Sequence, residues 1–136
     1  MNRNHDTLLR TVLAFDAITC VLMGAALLAA GSVLGELLAI PPIVLRSAGA
    51  VLLVFAAGVG YVARQAELSR AAVITVIVLN ALWAIESLLA LWAGGLAPNA
   101  FGTAFVVAQA VAVAVIAELQ VIGLKRARAG MAPAAP

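Results

Sequence analysis

The sequence predicts an all-α integral membrane protein, a bundle of four transmembrane helices. Two observations carry that reading. Hydrophobic residues make up 65% of the 136-residue chain and charged residues 10%, a balance that leaves a soluble domain without a polar surface, so apolar surface must face lipid. The apolar residues also gather into four runs, residues 8–31, 43–63, 71–93 and 100–123. At about 1.5 Å per residue, each run can cross a hydrocarbon core of about 30 Å.

The apolar region 11–31, 21 residues, exceeds the apolar core of a secretory signal, roughly 7–15 residues, and contains Asp16, so it reads as a retained helix. Its end, GAALLAAG, is rich in small residues that let a neighbouring helix come close. Residues 32–42, SVLGELLAIPP, should form a short interfacial helix with Leu34, Leu37, Leu38 and Ile40 on its apolar face, stopped by the double proline. Span two carries Arg46 in its first turns and ends at Tyr61 and Arg64. The loop RQAELSR, residues 64–70, turns the chain back, which makes spans two and three antiparallel neighbours.

Span three, AAVITVIVLNALWAIESLLALWA, holds Asn80 and Glu86 where a membrane helix least tolerates polar groups. GGLAPN, residues 94–99, separates it from span four. There Ala104, Ala108 and Ala112 repeat every four residues as a close-packing stripe. Residues 1–124 thus form one membrane domain, and residues 125–136 a basic end with a disordered tail. Seven of the eight basic residues fall on one side, Arg46 alone on the other, which predicts that both termini are cytoplasmic. With an offset of 64, Asp16-Ala17 aligns with Asn80-Ala81, and Ala26, Leu27, Ala29 and Gly31 with Ala90, Leu91, Ala93 and Gly95. The chain then reads as two tandem helical hairpins in the same orientation, with Asp16 and Asn80 as equivalent sites.

One cysteine, Cys20, and one histidine, His5, leave no intrachain disulfide, no Cys/His metal set and no bis-histidine haem. His5 should be solvated and Cys20 a small core filler. No catalytic group, metal or cofactor is predicted. The polar residues inside the spans are costly there and read either as fastenings between helices or as candidate functional groups. By span position, Asn80 and Gln109 lie within about 3 Å of the midplane; Asp16 and Glu118 lie about 6 and 10 Å to the inner side, Glu86 and Arg46 about 6 and 12 Å to the outer side. This predicts a central amide layer of Asn80 with Gln109. It also predicts an outer ion pair of Arg46 with Glu86, for which Glu36 is the rival partner. If Asp16 and Glu118 face each other, one of them should keep its proton, since desolvation and like charge both disfavour ionisation. Two carboxylates reaching separately for the inner interface is the simpler alternative. Asn80, Trp83 and Ser87 share a helix face. Trp83 on that face serves either packing or stacking on an organic cation.

The segments LLAIPPIVLRSAG, VLNALWAIESLL and FGTAFVVAQAVAVAVIAELQ resemble a type of small bacterial inner-membrane protein of four helices. That resemblance covers nearly the whole chain; it implies the bundle and a bacterial inner membrane, and transfers no activity. The small multidrug transporters are similar in size but place a glutamate in the middle of the first span, for which Asp16 is only a loose substitute. The short loops favour a non-enzymatic protein acting through helix packing as a homo-oligomer, an accessory subunit or a lipid-associated scaffold. The alternative is a small ion- or proton-coupled transporter lined by Asp16, Asn80, Glu86 and Gln109. Expected partners are membrane lipids and either further copies of the chain or a larger membrane complex, with no nucleic acid.

Overall fold

The computed structural model describes residues 6–130; the readings made for Arg3, His5 and the last six residues lie outside them. The described chain is α1 (Thr7–Ala29), α2 (Gly31–Leu38), α3 (Pro42–Arg64), α4 (Arg70–Trp92) and α5 (Ala100–Ala129). Four of these, all except α2, are long and apolar enough to cross a membrane. Large side chains such as Val54, Phe101 and Leu22 stand exposed on their outer faces, as surface that lipid can cover.

Each boundary has a local cause. Ala30 breaks the first helix, and α2 follows at once. α2 ends where Ala39 takes a left-handed conformation (φ 53°, ψ 42°) and the amide of Ile40 donates to the carbonyl of Gly35 at 3.1 Å, an αL ending that satisfies an orphan carbonyl. Pro41 and Pro42 then start α3, with Pro42 in the first turn, where its missing N–H costs nothing. Of the apolar face predicted for α2, Leu38 and Ile40 are buried and Leu34 partly so, whereas Leu37 points outward. Ser69 caps α4 and Asn99 caps α5, its Oδ1 accepting from the amide of Gly102 at 2.9 Å.

α5 continues to Ala129, six residues past the predicted end of span four. The basic end, Lys125, Arg126 and Arg128, is therefore helical. Alanine, lysine and arginine are strong helix formers, and the positive charges stabilise the helix's C-terminal dipole.

The bundle is two hairpins. α1 packs along α3 and α4 along α5; α1 also meets α5, while α3 and α4 barely touch. The antiparallel neighbours predicted across the 64–70 loop are thus replaced by pairing within each hairpin. Small residues explain this: Gly24 and Gly49 bring α1 and α3 together so closely that a Cβ on either would lie 2.8–2.9 Å from the other's carbonyl oxygen. The stripe Ala104, Ala108, Ala112 instead faces outward.

At the basic end, the Arg10 guanidinium of α1 donates to the carbonyls of Ala63 (3.0 Å), Gln65 (2.6 Å) and Ala66 (2.9 Å). It satisfies the terminal carbonyls of α3 and places a cation at the negative end of that helix. Arg10→Met is expected to cost about 1.5–3 kcal/mol, the range for bonds to charged groups. Arg64→Met, at an exposed side chain, should change stability little; thermal melting of both variants in maltoside micelles checks this. At the opposite end α2 lies across α3 and α5. Asn99 ties it down, its Nδ2 donating to the carbonyl of Leu37 at 2.8 Å and its amide to that of Leu38 at 3.2 Å. Gly102 must be glycine at this junction, because a Cβ would overlap the Leu38 carbonyl.

Two apolar clusters fill the interior. Leu9, Leu13, Val59, Val62, Val73 and Leu124 pack towards the basic end. Leu27, Leu38, Leu45, Leu52 and Val106 pack towards α2. The polar cluster described next lies between them.

Candidate functional site

Asp16 of α1, Asn80 of α4 and Gln120 of α5 are 1%, 3% and 0% exposed, and they converge on one another. Asp16 Oδ2 accepts from Asn80 Nδ2 at 2.7 Å and from Gln120 Nε2 at 2.7 Å. Asn80 Nδ2 also donates to Gln120 Oε1 at 3.2 Å, which closes a three-membered ring of hydrogen bonds. On the other side of the carboxylate, the Cys20 thiol, one turn along α1, faces Oδ1 at 3.6 Å. One carboxyl oxygen thus receives two short bonds from amide donors. Low polarity around it strengthens them and makes each of them expensive to lose.

Because α1 and α4 belong to different hairpins on the diagonal of the bundle, the Asp16–Asn80 bond joins the two hairpins. Gln120 reaches it from the only element in firm contact with both of their first helices. Small residues let these helices approach: Gly123, one turn beyond Gln120, has space for no Cβ, which would sit 3.0 Å from Leu9 Cα. Asp16 and Asn80, the two positions that the sequence offset of 64 aligns, are directly bonded.

Several predicted contacts differ. Asn80 does not form a layer with Gln109: Gln109 Oε1 instead accepts from Trp83 Nε1 at 3.0 Å, while Asn80 is committed to Asp16 and Gln120. Arg46 does not pair with Glu86 or with Glu36. Its Nη2 donates to Ser32 Oγ at 2.8 Å, and its stem lies over Gly31, whose missing Cβ would be 2.8 Å from Arg46 Cγ. The separation of α3 from α4 is the reason, since it leaves Arg46 nearer to the start of α2 than to α4. Asp16 and Glu118 do not face each other: Glu118 is exposed and Asp16 buried. Two residues before Gln120, Glu118 is turned about 200° around α5. Glu118 instead lines an outward hollow between α4 and α5 with Lys125.

Glu86 is exposed in a groove between α3 and α4, beside the half-buried Trp83 and Ser87. Ser87 Oγ donates to the carbonyl of Trp83 at 2.7 Å, one helical turn back. Gln120, Cys20 and Arg10 were not predicted as site or anchoring residues. For Gln120 a signal existed: it is eleven residues from Gln109 and nearly eclipsed with it, and both of these amides bond inward. Among the described residues no three His, Cys, Asp or Glu come together. The cluster's chemistry is hydrogen bonding within the bundle.

No protein-family model matches this chain, and neither a curated protein nor a solved structure does.

Proposed function

We propose that the chain is a non-enzymatic membrane protein that acts through helix packing, as a homo-oligomer, an accessory subunit or a lipid-associated scaffold. The observation that carries this reading is the closed ring of Asp16, Asn80 and Gln120. Its polar groups are spent on one another, and Asp16 is 1% exposed, so it works as a fastening between hairpins. The outward stripe of Ala104, Ala108 and Ala112 on α5 supports association with another membrane helix, since such stripes let backbones pack closely.

The membrane we assign is a bacterial inner membrane with both termini cytoplasmic. The gathering of Arg10, Arg64, Arg70, Lys125, Arg126 and Arg128 at one end supports that orientation, and the resemblance of the three quoted segments supports that membrane.

Purification of the tagged chain from native membranes in mild detergent, with chemical cross-linking beforehand, tests the packing role. A reproducible partner, or a fixed multiple of the chain, is the expected result. A lone chain that carries ions or protons across liposomes would overturn it. The transporter alternative draws on one feature, the exposed Glu86, because Asp16 is sealed.

A further inference from the structure

α3 and α4 follow each other in the chain yet barely touch, and α1 and α5 form the floor of the gap between them. The gap opens sideways to the bilayer. It comprises two adjoining hollows of about 300 and 750 Å³ that share Val51, Leu52, Trp83 and Glu86 in their walls. These are the dimensions of sites that hold small organic molecules, roughly 300–1,000 Å³. The walls are mostly apolar, and among the described residues Glu86 is the only charged one in either hollow.

Among the described residues Glu86 has no hydrogen-bond or ionic partner. The polar side chains near it bond elsewhere: Gln109 Oε1 takes the indole N–H of Trp83, Ser87 donates to the carbonyl of Trp83, Asn80 is held by Asp16 and Gln120, and Arg46 Nη2 donates to Ser32. A carboxylate at such a place is costly unless a counter-charge reaches it.

Its depth says what that counter-charge can be. Glu86 lies six residues before Trp92, about 9 Å along the axis, and Trp92 is 91% exposed at the helix end, where interfacial aromatics sit. Side chains on a helix lean towards its N-terminus, so Glu86 leans further from that interface. The ammonium of a phospholipid is held at headgroup level by its phosphate. A cation on a hydrophobic body can follow the groove down, and the Trp83 indole beside Glu86 adds an aromatic surface that attracts cations. We propose that the groove between α3 and α4 binds a hydrophobic organic cation from the bilayer, with its charge against Glu86 and its body against the apolar walls. Binding of this kind is independent of the packing role and requires no transport.

The test uses the full chain carrying Trp92→Phe, which leaves Trp83 as its only tryptophan, in maltoside micelles free of ammonium groups. The probe is 4-(4-bromophenyl)butyl-trimethylammonium, whose bromine quenches indole fluorescence, compared with its uncharged tert-butyl isostere. The cation should quench Trp83 saturably and the isostere should bind roughly tenfold more weakly, the factor given by about 1.4 kcal/mol of lost charge attraction. Glu86→Gln should abolish that difference, and Glu118→Gln, on the outward face of α5, should preserve it. Equal binding of cation and isostere by the chain with Glu86 intact would overturn the proposal without recourse to any variant at the site, as would unchanged selectivity in Glu86→Gln. Displacement of the probe by phosphatidylethanolamine would assign the groove to a lipid. A disulfide between chains carrying Val51→Cys would assign it to a second copy. Either result also overturns the proposal.

Discussion

Asp16→Leu is expected to destabilise the bundle by about 2–4 kcal/mol. It removes the acceptor shared by Asn80 Nδ2 and Gln120 Nε2, and a buried donor stripped of its partner costs about 1–3 kcal/mol. Neutral bonds between membrane helices average only about 0.6 kcal/mol, because the dissociated helices find other partners in the membrane. Losing two buried bonds at one oxygen moves the expectation above that average. The sharper result concerns the triple variant Asp16→Leu, Asn80→Leu, Gln120→Leu. With no polar group left behind, it should be more stable than Asp16→Leu alone, because replacing every partner by an apolar group can be nearly neutral. Unfolding in mixed maltoside and dodecyl sulfate micelles measures both. Additive losses across the three sites would show that the ring does not act as a unit.

Gly49→Val should separate α1 from α3. A Cβ at position 49 would meet the Gly24 carbonyl oxygen at 2.8 Å and Leu27 Cβ at 3.0 Å. The first obstacle is backbone, which cannot move away as a flexible side chain could. Overpacking costs about 1–3 kcal/mol, and the upper part of that range is expected here. Gly58→Val is the control on the same helix: nothing lies within 4 Å of its Cβ position, so it should melt close to the wild-type temperature. The same unfolding assay reports both, and a disulfide engineered across α1 and α3 would show directly whether their separation has grown.

The spans were legible because bilayer thickness sets their length, and the start of α3 because two prolines fall where a helix begins. The end of α5 was not, since the apolar run stops at Gly123 while the helix needs only good helix formers to continue. This has a direct bearing on Gln120. In a span that ends at Gly123, Gln120 falls in the last turn, near the headgroups. In the longer helix it is an interior position, fully buried. Asp16 and Asn80 stood out because polar groups are conspicuous in apolar runs, but which group each would meet depended on which helices are neighbours. Loop length could not decide that: seven residues permit α3 and α4 to pack together without requiring it. The decisive residues were Gly24 and Gly49, and composition marked only the small-residue region beginning at Gly24. Arg10 was counted as an interface charge because nothing local to α1 shows that the carbonyls it satisfies belong to α3.

The bond between Asp16 and Asn80 has a consequence for symmetry. The sequence offset of 64 aligns these two positions, and a dimer of hairpins built on that alignment would set each residue against its own copy. Two aspartates there would lack an amide donor, and two asparagines would lack the carboxyl oxygen that accepts from both amides. Joining both hairpins in one polypeptide lets an acid stand opposite an amide, with Gln120 of the second hairpin as a third member that has no counterpart in the ring from the first. The polar centre of the bundle is therefore intrinsically lopsided, a property open to a tandem chain and closed to a self-associating half.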